Sequence, residues 1–262
     1  MLLNGATRLH VIVGDPIAQV RSPAGMTEAM AARGHNAVMM PIHVTSDDLA
    51  GFLTGASLAR NLDGIIVTVP HKFACYRFCT EASDRAHFLK AVNILRRTPN
   101  GGWMGEMLDG MGFVGAIRAA GCRPEGQRAL LIGAGGAASA IGLELLEAGV
   151  RELAIHDLDT ARRDTLIHRL AETGKAPVVA GSSDPTGFDL VANATPAGMK
   201  DGDPLPVQVE HLQPHMFVGC VITAPAVSPL VAAARRIGCA SSVGRDMYAA
   251  EQAMMLEFLL GN

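Results

Sequence analysis

The chain has 262 residues, 49% of them hydrophobic and 18% charged, with a formal net charge of −3. This balance fits folded cores and excludes a disordered chain. It also gives no electrostatic case for nucleic acid or an anionic membrane surface as partner.

Leu9 to Val13 reads as a buried strand, Pro23 to Arg33 as a helix stopped by Gly34, and Val38 to Val44 as the next strand. A helix starting near Ser46, with Asp47 and Asp48 in its first turn, is expected to end before Asn61. Ile65 to Val69 reads as a third strand ended by Pro70, followed by a short helix from Lys72 and a strand near Val92 to Leu95. A helix from Met111 to Ala120 leads into Gly121–Gly126, which reads as a linker. Further strands are expected near Val178, at Asp189 to Ala192 and at Met216 to Val221, and Met247 to Leu260 carries an apolar helix pattern with Glu251 and Glu257 embedded. Strands separated by helices imply parallel pairing through crossovers, so the fold class is α/β with two α/β domains, the N-terminal one with a mainly parallel sheet.

No run of about 18 uncharged apolar residues occurs, so no membrane span is expected. The start, Met1-Leu2-Leu3-Asn4-Gly5, lacks the pattern of a signal peptide, and a cytoplasmic location follows by default. The five cysteines, Cys75, Cys79, Cys122, Cys220 and Cys239, are odd in number and scattered, which argues against disulfides and zinc. The histidines show no metal-ligand spacing, and no metal is expected.

The strongest local signal is Gly133-Ala134-Gly135-Gly136-Ala137, read together with Asp157. The glycines follow the apolar stretch Ala129 to Ile132 and open a helix pattern from Ala137 to Ala148 that stops at Gly149. A second apolar stretch, Leu153 to Ile155, ends in His156-Asp157. This is a β-α-β unit with its glycines at the first turn and an acid about 20 residues further on, the dinucleotide-binding arrangement. Pyrophosphate reaches backbone N–H groups at a helix start only where no Cβ intervenes. An acid at the end of the second strand accepts from a free ribose 2′-OH and repels a 2′-phosphate, so NAD is expected in preference to NADP. Arg162 and Arg163 lie near enough to leave some NADP use open. Asn193-Ala194-Thr195-Pro196 and the residues to Met199 follow a strand and are expected to face the cofactor. Lys72 and Asp109 carry acid/base chemistry only if a partner orients the lysine, and spacing alone does not show that they meet.

Several ordered motifs go further. Gly14-Asp15-Pro16-Ile17-Ala18 with Ser22-Pro23, Val67-Thr68-Val69-Pro70-His71-Lys72, Ala91-Val92-Asn93 and Asp109-Gly110 occur in that order. They are followed by Gly133 to Ala137, Asn193 to Met199, Pro225, Ser228-Pro229-Leu230, Gly244 and Met247. In this set the chain resembles the shikimate/quinate dehydrogenase family over nearly its whole length. The resemblance implies an N-terminal substrate-binding and catalytic domain over residues 1–110, joined by the last helix at about 245–262. It implies a Rossmann-type dinucleotide-binding domain over 111–244. It further implies hydride transfer between NAD and a secondary alcohol of shikimate, quinate or a related cyclic hydroxy acid. Lys72 would act as acid/base and Asp109 would orient it. Ser22, Thr68, Asn93 and Glu251, with Val20 and Ile66, would line the substrate side. Gly133, Ala134, Gly135, Gly136, Ala137, Asp157, Arg162, Asn193, Ala194, Thr195, Pro196, Val221 and Gly244 would serve the cofactor side. His71 fits a packing role better than catalysis.

The chain departs from the family pattern at Gln19, Val20, Ile66, Ile94, Met107, Leu108, Thr223 and Glu251, where polar substrate-holding groups have largely become apolar. Losing several hydrogen-bonding partners can cost orders of magnitude in specificity. The alternatives are therefore the same chemistry on a different, less hydroxylated substrate, or on one whose group suits Glu251 and Arg21. A catalytically weak NAD-binding sensor is a further alternative, against which the retention of Lys72 and Asp109 counts. The expected partner is a small hydroxy acid, and a homodimer is left open.

Overall fold

The structure, a computed structural model, describes residues 3–261. The chain divides into two compact units, one running through Leu108 and resuming at Gln252, the other spanning Asp109–Glu251. The first holds β1 (Arg8–Gly14), α1 (Ser22–Ala32), β2 (Ala37–His43), α2 (Leu49–Leu58), β3 (Leu62–Val67), α3 (Lys72–Tyr76), β4 (Glu81–Ala82), α4 (Asp84–Leu89), β5 (Ile94–Arg97) and β6 (Trp103–Glu106). Its sheet has the order β2-β1-β3-β5-β6-β4. β1 pairs in parallel with both β2 and β3, as alternating strands and helices predict.

The sheet is mainly parallel, as expected, and departs from this at β5, which runs antiparallel to β3 and to β6. For β5 and β6 the reason is a tight connection. The Gly101 amide donates to the Thr98 carbonyl and the Thr98 amide to the Gly102 carbonyl, with Gly101 at φ +86. A two-strand link this short permits only a hairpin. Helix α2 also starts later than Ser46. The Thr45 hydroxyl donates to the Asp48 carboxylate at 2.9 Å and holds 45–48 as a turn. β3 ends at Val67, two residues before the expected Val69, although the Thr68 amide still donates to the Val13 carbonyl of β1.

The second unit holds α5 (Asp109–Ala119), β7 (Arg128–Ile132), α6 (Gly136–Glu147), β8 (Glu152–His156), α7 (Thr160–Ala171), β9 (Val178–Ala180), β10 (Leu190–Asn193), β11 (Phe217–Cys220), α8 (Pro229–Ile237) and β12 (Ala240–Ser242). Helix α9 (Gly244–Leu260) begins there and ends in the first unit. All six strands are parallel, in the order β12-β11-β10-β7-β8-β9. Counted within the unit, this is the doubly wound order of a dinucleotide-binding sheet, with its switch point between β7 and β10. Both faces are covered, so Leu130, Leu131, Val191 and Val218 are fully buried, each contributing about 1.5–3 kcal/mol through burial. Helix α8 and β12 were not expected from the sequence. The Ser228 hydroxyl accepts from the Val231 amide, Pro229 opens the helix, and Gly238 at φ +102 ends it. Among the described residues no helix is long and apolar enough to cross a membrane.

Candidate active site

In the first unit the candidate residues gather where β1 and β3 end. Gly14 has no room for a Cβ against the Thr68 side chain and the Val69 carbonyl, so glycine lets the two strand ends close on each other. The Asp15 amide donates to the Val69 carbonyl at 2.9 Å and fixes that approach. His71 is buried, with Nε2 2.7 Å from the Val44 carbonyl, a packing arrangement. Lys72 opens α3 and is half-buried, as are Val20 and Thr68. Ser22 is buried in the first turn of α1. Ile66 lies inside the sheet core.

Asn93 organises this end of the unit. The Val92 amide donates to the Lys72 carbonyl at 3.1 Å, and the Asn93 amide to the Glu106 carbonyl at 3.0 Å. The buried Asn93 side chain accepts from the Leu108 amide through Oδ1 at 2.8 Å. Two consecutive residues thereby hold the backbone of Lys72 and the backbone just before Asp109. Sequence reasoning gave Asn93 a substrate-facing role and missed this one. Glu106 was missed as well: its Oε1 accepts from the Ser83 hydroxyl and the Met107 amide.

In the second unit, Asp109 is buried at the start of α5. The next residue, Gly110, packs so closely on the Ala140 carbonyl of α6 that no Cβ fits. Glu251 is buried over Gly112, where a Cβ would strike its Cγ. Gly244 lies equally close to the Val221 and Ile222 carbonyls.

The glycine turn sits at the switch point of the sheet. Gly133 adopts φ +108, and a Cβ there would meet Thr195 Cγ2 at 3.0 Å and the Ala194 carbonyl at 3.2 Å. Gly135 caps α6 with no side-chain hydrogen bond, and a Cβ built on it meets no atom within 4 Å. Uncapped first-turn amides beside open space fit a pyrophosphate. Gly136 and Ala137 form that first turn. Across the switch point, Asn193 is fully buried, its Oδ1 accepting from the Thr195 amide and hydroxyl and its Nδ2 reaching Cys220 Sγ. Asn193 therefore shapes the loop, and Ala194, Thr195 and Pro196 are its more accessible residues.

Asp157 is turned inward. Its Oδ2 accepts from the Ala134 amide at 2.7 Å and its Oδ1 from the Asp159 amide at 2.8 Å. One guanidinium nitrogen of Arg162 donates to both oxygens, at 2.9 and 3.2 Å. Each carboxylate oxygen thus accepts twice, which fills the lone-pair capacity of the group. Burial pushes this carboxyl up, but the hydrogen bonds from Arg162, Asp159 and Ala134 outweigh it and hold its pKa below the ordinary carboxylate value. The Asp157 side chain is 6% exposed and that of Arg162 53%.

A family model for the shikimate dehydrogenase substrate binding domain matches residues 12–95. Among curated relatives, the "Shikimate dehydrogenase (NADP(+))" of Rubrobacter xylanophilus is 36% identical over 94% of this chain and 88% of its own length. Among solved structures, the 5-ketofructose reductase of Gluconobacter sp. strain CHM43 is 28% identical, with a TM-score of 0.82 over 98% of this chain and 94% of that one. The shikimate 5-dehydrogenase of Listeria monocytogenes, in complex with shikimate and NAD, is 26% identical, with a TM-score of 0.85 over 99% and 94% of the two chains.

These findings overturn the expectation of NAD. The Rubrobacter relative and three further curated relatives at 31 to 35% identity are all named for NADP(+). The geometry gives the physical reason. Asp157 was expected to accept from a ribose 2′-OH and repel a 2′-phosphate, but its acceptor positions are filled from within the protein and its charge is paired with Arg162. With the fold, the ordered motifs and relatives of this identity and coverage in agreement, the chain belongs to the shikimate/quinate dehydrogenase family of oxidoreductases.

Proposed function

We infer that the chain catalyses reversible hydride transfer between NADP and a secondary alcohol of shikimate, quinate or a related cyclic hydroxy acid. The observation that supports this reading is the grip of Val92–Asn93 on the Lys72 carbonyl and the Leu108 amide, which ties the segment bearing Lys72 to the residue that precedes Asp109. Lys72 Nζ takes the hydroxyl proton as the alcohol is oxidised and returns it on reduction. The Asp109 carboxylate orients the lysine and the reacting hydroxyl. Asn93 places a hydrogen-bonding group at the substrate, and Ser22 and Thr68 add hydroxyls on the same unit. The first-turn amides of α6 hold the pyrophosphate, and Arg162 offers the guanidinium edge not used by Asp157 to a 2′-phosphate. The dinucleotide, when bound, supplies the hydride-accepting nicotinamide.

A second reading keeps this chemistry and changes the substrate. It is favoured by Ile66, Ile94, Met107 and Leu108, all buried and apolar around the strand ends, and by the likeness to a 5-ketofructose reductase. One panel separates the two. Shikimate, quinate, less hydroxylated cyclic hydroxy acids and polyhydroxy ketones are offered to the purified protein with NADP+ or NADPH, and absorbance is followed. Turnover of shikimate or quinate at the efficiency of a dedicated enzyme supports the first reading, and preference for the less hydroxylated acids or for the ketones supports the second. No turnover of any member contradicts both.

A further inference from the structure

The sheet of the first unit has a second feature at its other edge, a cavity of about 660 Å³ bounded by the starts of β1 and β3, the end of β5 and the last turn of α9. β1 and β3 run parallel and β5 runs against them, which brings Arg8, His10, Asp63 and Arg96 to this one edge. β3 is six residues long, so the cavity lies roughly 20 Å along the strands from the Lys72 end.

The charges on its wall do not balance locally. Asp63 is taken by Arg8, whose Nε donates at 2.7 Å and whose second nitrogen also reaches the carboxylate. Arg97 is enclosed by backbone carbonyls, those of Ala56, Ser57, Ala59, Leu62 and Gly101, and stacks on Trp103, and among the described residues no carboxylate forms an ion pair with it. The Arg96 side chain lies over the Phe258 ring at 5.3 Å and, among the described residues, makes no hydrogen bond or ion pair. The remaining acid on the wall, Glu81, is exposed. His10 is 2% exposed, and its Nδ1 has no hydrogen-bond partner among the described residues. Burial pushes the His10 pKa down to about 4, with Asp63 opposing and Arg8 and His35 adding to the shift. At neutral pH the ring is therefore uncharged and offers one donor and one acceptor. Met104, Leu259 and Leu260 supply an apolar portion of the wall.

We propose that this cavity is a second ligand site, for a small organic oxyanion in which a carboxylate or phosphate ester is carried on an apolar body. The volume is that of a small-molecule site. A guanidinium without a carboxylate partner presents a fork matched to such an oxyanion. His10 lies on the same wall, across Gly64 from Arg96 and with its Nδ1 against Gly64, so its ring adds no like charge and reports on occupancy of the cavity.

The test titrates the full chain at neutral pH with phenyl phosphate and benzoate, and with inorganic phosphate and acetate as probes lacking the apolar body. Calorimetry gives affinity, and the His10 ring resonances report where the probe sits. Saturable binding of an aromatic probe that shifts the His10 signals is expected. Arg96→Gln should weaken it by about 10-fold or more, the loss expected for a charge-assisted hydrogen bond, and Arg96→Lys should weaken it less. Preference for benzoate or for phenyl phosphate identifies the head group. The proposal is overturned if no probe saturates, if binding leaves His10 unperturbed, or if folded Arg96→Gln binds as the parent does.

Discussion

The Leu108 amide donates to Asn93 Oδ1 at 2.8 Å, so one buried side chain holds the backbone immediately before Asp109. Replacing Asn93 with Ala leaves the Leu108 amide without its partner. Urea unfolding is expected to show a loss of about 1–3 kcal/mol, with a fall in kcat. A stable variant with full activity would show that Asn93 neither positions Asp109 nor meets the substrate.

Asp157 and Arg162 give a result opposite to simple charge reasoning. If the acid repelled a 2′-phosphate, Asp157→Ala would improve NADP+ use. Here the carboxylate anchors Arg162 and the Ala134 amide. Both Asp157→Ala and Arg162→Ala are therefore expected to raise KM for NADP+, by about 10-fold or more for loss of a charge-assisted contact. Steady-state kinetics on the two variants decide it, and an improved KM for NADP+ in Asp157→Ala would refute the anchoring role.

The two glycines of the turn separate folding from binding. Gly133 adopts φ +108 against Thr195 and Ala194, so Gly133→Ala should cost about 1–3 kcal/mol in stability. Gly135 has open space at its Cβ position and an ordinary φ of −81. Gly135→Ala should leave stability within about 0.5 kcal/mol of the parent while weakening dinucleotide binding, because the methyl group intrudes on the amides of α6. Thermal melts and dinucleotide titrations on both variants check this, and unchanged affinity in Gly135→Ala would remove the phosphate role of the turn.

Buried His10 makes stability pH-dependent. Its folded pKa, about 4, lies below the ordinary value of 6.5, so the unfolded chain binds more protons between these limits. Stability contributed by the neutral ring is complete above pH 6.5 and falls as pH drops toward 4, by at most about 1.4 kcal/mol per unit. Denaturant melts at pH 7 and pH 5 should differ by less in His10→Asn than in the parent. Equal pH slopes would contradict the shift.

The cofactor half was legible in the sequence because its signals are local. Apolar runs, Gly133 and the spacing to Asp157 define a β-α-β unit whatever surrounds it. The filled valence of Asp157 was not legible, since it depends on the Ala134 amide, 23 residues away, pointing back at the carboxylate. The hairpin of β5 and β6 was missed although Pro99-Asn100-Gly101-Gly102 is a turn signal, and α8 was missed although Ser228-Pro229 and Gly238 bracket it. In both places the turn and cap chemistry was present in the sequence, and in α8 it brackets an amphipathic stretch whose Leu230, Val231, Ala233 and Ala234 are buried. The role of Asn93 depends on a contact across 15 residues, which no spacing rule announces.

Lys72 is the residue proposed to move the proton in an NADP-dependent alcohol oxidation. Its role is tested by comparing kcat of the parent and Lys72→Ala on the best substrate of the panel, with NADP+ affinity measured separately by fluorescence titration. A fall in kcat of about 10²–10⁴-fold, the usual contribution of a positioned acid/base, is expected, with NADP+ affinity nearly unchanged. Turnover by Lys72→Ala at the parent's rate would show that Lys72 does not move the proton.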